Sequence, residues 1–375
     1  MEFVWLIIAL AVVVYAGDRL FSYFALKRVA YMCRFEREAA FEGESVRLIE
    51  QLVNDKPLPI LWLKVRLQMP LALKFENTAF VDISDKQYYQ RLFSLLGYQQ
   101  VTCRHVLNCV KRGYYVIDDV DMISGDILSG RRCYERVPMN MHFSVYPRFI
   151  DVDDVLIPAR LINGDMIVKR WIIEDPFQIA GFRDYMPTDS LNKINWLATA
   201  RQQRLQVIKH DFTASSSMII MLNVTYKSSW VNYNVLEQSI RLCASLAQEA
   251  VDNGIPVAVI SNGLLKGYDD AIHMETPLGC SNEHMTGILE DLARLTFEYE
   301  DDFAVFLSGE IEQIPYDADI LILTSYIDDD LAAAIVDIDK SRISVRMGFM
   351  EDVDWERYEL NDVDVYTITE EGAIK

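Results

Sequence analysis

Apolar and polar positions in the first part of the chain repeat with a period close to two. Residues 101–109 show this alternation, and the turn-forming residues 111–113 follow it directly. Because successive side chains of a strand point to opposite faces, such a pattern predicts short strands separated by turns. We therefore interpret residues 27–150 as a β-sandwich-like domain.

From residue 213 onward, short continuous apolar runs alternate with amphipathic stretches. Strands are expected at residues 218–222, 256–260, 320–323 and 343–347, and helices at residues 234–253, 283–297 and 331–338. Gly254 stands where a C-terminal helix cap belongs. Short apolar strands alternating with helices predict an α/β domain with a doubly wound parallel sheet over residues 213–375. Residues 151–212 connect the two domains.

The N-terminus carries an apolar segment, uninterrupted over residues 3–16. A helix over about residues 2–24 is long enough to cross a bilayer, with the stem of Arg19 extending toward the headgroups. The basic residues Arg19, Lys27, Arg28, Arg34 and Arg37 all follow the apolar run. The positive-inside rule then predicts a single-pass transmembrane anchor at residues 1–26 in the cell membrane, with the bulk of the chain in the cytoplasm.

Two other interpretations of this N-terminal region remain open. A signal peptide would be cleaved after Ala16, which leaves a secreted binding protein that faces the cell envelope. Its n-region, however, carries Glu2 and no basic side chain. The dispersed basic residues would also suit a lipid sensor, although so few charges usually only set the topology.

Charge and composition limit the classes of partner. The chain of 375 residues has a net charge of −20, so a sequence-independent interaction with nucleic acid is not expected. Residues 301–375 hold 20 Asp and Glu against 5 Lys and Arg, which forms either a solvated surface or a docking surface for a basic partner. The six cysteines form no C-x-x-C pair and the histidines show no metal-ligand spacing, which favours reduced thiols in a reducing compartment.

The connecting segment is dense in polar, charged and aromatic residues. By physical reasoning alone, Arg183, Asp189, Trp196 and Arg201 either form a cluster of ion pairs and stacked side chains that joins the two domains or line a binding site. The signature cluster of this segment comprises Arg183, Tyr185, Asp189, Asn195, Trp196 and Arg201. With supporting motifs at residues 112–115, 125–126 and 145–147, it resembles the membrane proteins catalogued as domain of unknown function 58. Thr188 stands where that family has a glycine.

The resemblance implies a von Willebrand factor A-like domain with a divalent-metal site at the carboxyl ends of its strands. In this chain Asn223, Thr225 and Lys227 stand at the Asp-x-Ser-x-Ser positions, and Thr324 with Ser325 follows a later strand where the family has an aspartate. Because an amide replaces a carboxylate and an ammonium replaces a hydroxyl, we expect a site that has lost its negative charge and binds no metal. Lys227 is then a candidate to occupy the metal position. These five residues are the predicted partner-binding rim.

The resemblance also implies a function. Family members act with MoxR-type AAA+ ATPases, so we expect a membrane-anchored adaptor or scaffold that binds protein partners, with other membrane proteins as further candidates. No cofactor is expected, and the chain has no G-x-x-x-x-G-K-[ST] loop for ATP. G-x-S-x-G and H-E-x-x-H are also missing, so we do not expect an enzyme. The alternative is a cysteine-dependent enzyme in which Cys280 is activated by His273 or His284.

Overall fold

The computed structural model describes residues 5, 8, 12–13, 15–16, 19, 23–76, 81–83, 87–125, 132–150, 174–184, 199, 204–212, 217–227, 232–268, 270–315, 318–338, 344–350, 353–358, 360 and 363–367. The chain is a mixed α/β protein with several sheets, and it divides into two compact units. The first unit contains Met1–Phe149, Leu264–Ile272 and Gly287–Thr296. The second unit contains Ile150–Gly263, His273–Thr286 and Phe297–Lys375.

The first part of the chain forms two sheets. In chain order the strands are β1 (Val29–Phe35), β2 (Ala39–Phe41), β3 (Ser45–Asn54), β4 (Ile60–Met69), β5 (Leu73–Phe75), β6 (Val81–Ile83), β7 (Gln87–Leu95), β8 (Gln100–Cys109), β9 (Gly113–Gly125) and β10 (Arg132–Tyr146). One sheet has the order β1-β3-β8-β5 and the other β2-β10-β9-β4-β7-β6. Adjacent strands are antiparallel except β2 and β10, which are parallel.

Among the described residues, an apolar core cluster lies between these two sheets. Every second residue of β3 is buried, and its Leu48 belongs to the same cluster as Leu63 of β4, Leu107 of β8 and Phe143 of β10. This alternation is the one predicted for residues 27–150, and the two sheets face each other across the core as the layers of a sandwich do. Glu50 of β3 is an exception, because it is a carboxylate on the buried side.

The second part of the chain alternates strands and helices. The antiparallel pair of β11 (Glu174–Asp184) and β12 (Gln206–Phe212) comes first. The elements that follow are β13 (Ser217–Leu222), α1 (Tyr233–Asp252), β14 (Val257–Leu265), β15 (His273–Glu275), α2 (Asn282–Arg294), β16 (Leu295–Tyr299), α3 (Phe303–Ile311), β17 (Ala318–Thr324), α4 (Asp329–Val336), β18 (Ser344–Phe349) and β19 (Asp364–Thr367). A short 3-10 helix covers Trp355–Arg357. The seven-stranded sheet has the order β15-β14-β13-β17-β18-β19, with β16 paired to β14.

The central strands of this sheet are parallel and buried. β13 pairs in parallel with both β14 and β17, and β17 continues through β18 to β19. Ile219 and Met221 of β13 pack in one cluster with Phe303 of α3 and Leu331 of α4. The alternate residues of β13 point to the opposite face, and α1 contacts β13 and β17. Helices therefore cover both faces, which explains why these strands are continuously apolar.

Most elements predicted for this half of the chain lie where they were expected, with three differences. The helix expected at 283–297 ends at Arg294, because Leu295–Tyr299 forms β16 and pairs with β14. α3 was not predicted, since its continuous apolar start, Phe303–Leu307, lacks a helical period. The short strands β15 and β19 were also missed.

The predicted anchor, residues 1–26, lies largely outside the described residues. The described positions between residues 5 and 24 are helical and exposed. Across the part of the chain that the structure describes, no helix combines the length and apolar character needed to cross a bilayer.

Candidate functional site

The predicted rim residues come from two loops that meet at the carboxyl edge of the parallel sheet. Asn223 directly follows β13 and Thr324 is the last residue of β17, and these two strands are neighbours. The backbone N–H of Asn223 donates to the carbonyl of Leu323 at 2.9 Å, and its side-chain amide donates to Thr324 Oγ1 at 2.9 Å. Both side chains are buried. The two loops are thus in direct contact.

Asn262 completes this polar layer and was missed in the sequence. It lies in the buried part of β14, the other neighbour of β13. Its Oδ1 accepts from the N–H of Val224 at 3.1 Å, and its Nδ2 donates to Thr225 Oγ1 at 2.8 Å. Asn223 Oδ1 in turn accepts from the N–H of Thr225 at 2.8 Å, an Asx turn. Both amides are therefore engaged with the loop after β13, and that of Asn223 also with Thr324, so that these contacts fix the position of the loop.

Lys227 extends from this loop to two carboxylates. Its ammonium lies 2.9 Å from Asp302 Oδ2 and is also paired with Asp328 Oδ2. The ring of Tyr326 lies 5.2 Å from the ammonium, and its hydroxyl donates to Asp302 Oδ1 at 3.1 Å. The ammonium therefore lies between two carboxylates. We call Lys227, Asp302, Asp328 and Tyr326 the ammonium cluster.

The two carboxylates have a second role as helix caps. Asp302 is the N-cap of α3 and accepts from the N–H of Phe303 at 2.8 Å. Asp328 is the N-cap of α4 and accepts from the N–H of Leu331 at 2.9 Å. An aspartate before a helix satisfies a backbone donor that has no partner within the helix. The ammonium cluster therefore joins the starts of two helices to the loop after β13.

The charge states in the ammonium cluster support each other. The hydrogen bond with Asp328 is the main cause that raises the pKa of Lys227, against the opposing effect of burial. Burial by itself would raise the pKa of Asp302, but hydrogen bonds from Lys227 and Tyr326 outweigh it and lower this pKa. Burial is also the main reason that the pKa of Tyr326 is raised. At neutral pH the cluster therefore holds a charged lysine beside an ionised Asp302 and a neutral tyrosine.

The expectation that this edge has lost its negative charge is corrected by these contacts. Asn223 and Thr225 carry no charge, but Asp302 and Asp328 bring two carboxylates from loops that were not considered. A signal for them was present in the sequence, since Asp302 directly precedes the apolar residues 303–307 and Asp328 begins a run of three aspartates before the apolar residues 331–336, as acidic N-cap and first-turn residues do.

The position of this edge in the fold is informative. The parallel strands run in the order β14-β13-β17-β18-β19, so the chain order reverses between β13 and β17. In open α/β sheets, ligands bind outside the carboxyl ends of the strands at such a reversal, because the connections leave in opposite directions and open a crevice there. Asn223 and Thr324 lie at this point. The sheet topology thus identifies the same edge as the predicted rim.

Comparison with protein families supports the resemblance drawn from the sequence. Residues 181–356 match the family model described as "Protein of unknown function DUF58". The chain carries a DUF58 region. No curated protein matches the chain. Among solved structures, the CARDB domain of a Pyrococcus furiosus protein, determined in complex with di-metal ions, is similar over 30% of this chain and 94% of its own, with 8% identity and a TM-score of 0.19.

The DUF58 region includes every residue of the ammonium cluster and of the predicted rim. Ser325, the fifth rim residue, is buried, and its hydroxyl has no hydrogen-bond partner among the described residues. Arg183 of the signature cluster lies in β11, opposite Val207 of β12. The other five signature residues (Tyr185, Asp189, Asn195, Trp196 and Arg201) lie outside the described part of the chain.

The residues of the cysteine-dependent alternative have other contacts. Cys280 is exposed. A ring nitrogen of His284 is hydrogen-bonded to the carbonyl of Val257 at 2.8 Å. His273 Nε2 lies 4.0 Å from Glu275 Oε2 and 3.8 Å from Glu310 Oε1. These three residues form a potential metal-binding group, which was not foreseen from the spacing of the histidines.

Proposed function

We propose that this chain is a membrane-anchored cytoplasmic adaptor whose C-terminal α/β fold, of the von Willebrand factor A-like kind, binds protein partners through the carboxyl edge of its sheet. The observation that carries this proposal is the convergence of Asn223, Thr225, Lys227 and Thr324 at the reversal of strand order. The buried polar groups there are engaged with one another, as in a rigid recognition surface.

In this proposal Lys227 substitutes for the metal ion of the related site. A divalent ion between two carboxylates would give a neutral arrangement, whereas one ammonium leaves a formal charge of −1. Asp302, Tyr326 and Asp328 of the cluster also lie in the acidic part of the sequence, residues 301–375. Both features favour a partner segment with basic side chains.

The proposed partner is a MoxR-type AAA+ ATPase, as the family resemblance implies. The apolar N-terminal segment and the basic residues that follow it support an anchor that keeps the DUF58 region at the cytoplasmic face of the membrane. A reporter enzyme fused to the C-terminus tests this location. Reporter activity outside the cytoplasmic membrane would exclude it.

Affinity purification of the tagged full-length chain from its native membranes tests the adaptor role. The parent chain is expected to retain an AAA+ ATPase through a salt wash, and Lys227→Glu is expected to lose it, because the substitution places three carboxylates together. Lys227→Arg keeps the charge and should retain the partner. Lys74, an exposed residue of β5, offers the matched control Lys74→Glu. Equal recovery of the ATPase with Lys227→Glu and Lys74→Glu, or no ATPase with the parent, contradicts the proposal.

A further inference from the structure

Three segments of the first unit meet at one end of the two facing sheets. They are residues 23–28, 55–58 and 96–99, which we call the proximal tip. Lys56 is buried, and its ammonium donates to the carbonyls of Phe24 at 2.6 Å, of Lys27 at 3.0 Å, and of Ala25. A cation at these carbonyls satisfies the acceptors that a helix leaves at its C-terminal end. The end of the N-terminal helical segment is therefore fixed to the proximal tip.

The remaining backbone contacts join the third segment to the first two. The N–H of Tyr98 donates to the carbonyl of Lys56 at 3.1 Å, and the N–H of Asp55 donates to the carbonyl of Arg28 at 2.9 Å. Gly97 packs so closely on Pro57 that a Cβ would lie 2.3 Å from the proline carbonyl oxygen. The turn at residues 96–99 therefore has a fixed position beside the end of the helical segment.

Two side chains of the proximal tip are held in a backbone conformation that disfavours them. Arg28 has φ 57° and Tyr98 has φ 56°, and only Asn140 shares this property among the described non-glycine residues. Each is the third residue of a turn, closed by Val29 N–H to Leu26 O and by Gln99 N–H to Leu96 O, both at 3.3 Å. Glycine or asparagine is the usual residue at that position of a turn with positive φ. An arginine and a tyrosine kept there at one end of the unit indicate a use for these side chains.

The proximal tip exposes apolar and aromatic side chains beside basic ones. Leu96 and Tyr98 are each 69% exposed and Tyr23 is 64% exposed. The ammonium of Lys27 lies 3.6 Å from the centre of the Tyr23 ring. Aromatic rings and basic side chains together are typical of the interface between a bilayer and water, where rings lie at the headgroups and cations face anionic lipids.

We propose that the proximal tip rests in the membrane interface, with Leu96 and Tyr98 inserted at the headgroup level and Lys27 and Arg28 facing anionic lipid headgroups. This inference depends on the proposed membrane anchor and extends it, because the anchor alone would leave the body free to rotate on its tether. A bilayer is the favoured occupant because the turn lies beside the end of the apolar segment and is fixed to it through Lys56. Asp55 is exposed at the same end and opposes the attraction, so the apolar turn provides the main contact.

Fluorescent labelling of the full-length chain in vesicles tests this proposal. One accessible cysteine is introduced by Tyr98→Cys or Leu96→Cys and labelled with an environment-sensitive fluorophore, in a background in which the exposed Cys280 and the half-buried Cys103 and Cys133 are replaced by serine. The vesicles contain equal parts of phosphatidylcholine and phosphatidylglycerol, with nitroxide lipids as quenchers. Two comparison positions are Val12→Cys in the apolar segment and Leu71→Cys, which follows the far end of the ten-residue strand β4, about 30 Å away.

The proposal predicts that the emission of labels at residues 96 and 98 shifts to shorter wavelength. It also predicts that headgroup nitroxides quench these labels at least threefold more than the label at residue 71. In another outcome, the label at residue 12 is quenched but those at residues 96 and 98 are quenched no more than the label at residue 71. This result would overturn the proximal-tip proposal and leave the anchor intact. Equal blue shifts of the labels at residues 71, 96 and 98 would show contact with protein instead of lipid. They would also overturn the proximal-tip proposal. No quenching at residue 12 would contradict the proposed anchor itself, and the proximal-tip proposal with it.

Discussion

Replacing Lys227 with methionine removes the ammonium and keeps most of the apolar stem. Two unit charges 2.9 Å apart attract by about 1.4 kcal/mol in bulk water. The side chains of Lys227 and Asp302 are 37% and 41% exposed, so screening and the ordering of both side chains reduce this value to at most about 1 kcal/mol. Because Asp328 shares the ammonium, we expect a total loss of about 1 kcal/mol in the local stability of the helix starts.

Hydrogen exchange at the amides of Phe303 and Leu331 measures this loss, since the two aspartates cap these N–H groups. A loss of about 1 kcal/mol corresponds to about fivefold faster exchange. The difference between Lys227→Met and the parent should decrease in 1 M salt, where charges are screened over about 3 Å. Lys266→Met, at another exposed lysine, should exchange like the parent.

The difference in amide exchange between Lys227→Met and the parent should also depend on pH. The lowered pKa of Asp302 means that its contribution is present above the unfolded value of about 3.9 and is lost as the pH falls through the lower folded value. The raised pKa of Lys227 means that its contribution is present below about 10.4 and is lost as the pH rises through the higher folded value. Equal exchange of parent and variant at neutral pH and low salt, or a difference that increases with salt, would refute the reasoning.

Three further predictions concern other parts of the chain. Arg112→Lys is expected to lower the free energy of unfolding of the first unit by about 1–3 kcal/mol, because the buried guanidinium donates to two backbone carbonyls and a lysine lacks its planar fork. Thermal unfolding of the variant and of the parent measures this difference. His105→Ala should lower the free energy of unfolding by about 2–3 kcal/mol, because it removes the ring nitrogen that lies 3.1 Å from the buried Glu50 carboxylate. Replacing both residues by leucine should recover much of this loss. Effects of the two substitutions that simply add in denaturant unfolding would contradict this prediction. Asn223→Asp combined with Lys227→Ser should create a Mn²⁺ site. If Mn²⁺ binds this variant with a dissociation constant of about 1 mM, 10 mM Mn²⁺ should raise its free energy of unfolding by about 1.4 kcal/mol. The parent should show no such increase.

The segments that could be predicted from the sequence are those whose pattern is set by burial on known faces. Residues 218–222 are continuously apolar because helices cover both sides of that strand, and 101–109 alternate because one side of β8 faces the core. α3 escaped prediction for the same reason, since its apolar residues are too continuous to show a helical period. β16 was taken for the end of a helix because no local signal marks the change after Arg294.

The candidate site was predicted in part. Asn223, Thr225, Lys227, Thr324 and Ser325 were found through the family resemblance, and the contact between their two loops follows from the pairing of β13 with β17. Asn262, Asp302 and Asp328 were not found. Asp302 and Asp328 carry a local signal as helix N-caps, but their pairing with Lys227 and the contacts of Asn262 depend on side chains that lie far away along the chain.

The sequence by itself determined the apolar N-terminal segment and the two periodicities that separate a β-rich region from an α/β region. All of these are properties of neighbouring residues, which local physical chemistry expresses directly. Only the tertiary structure decided that Lys227 is paired with Asp302 and Asp328, and that Lys56 holds the end of the N-terminal helical segment. Such pairs depend on strand order and on where helices begin, and the energy of a charge depends on the distance to its partner in space, which the linear pattern does not contain.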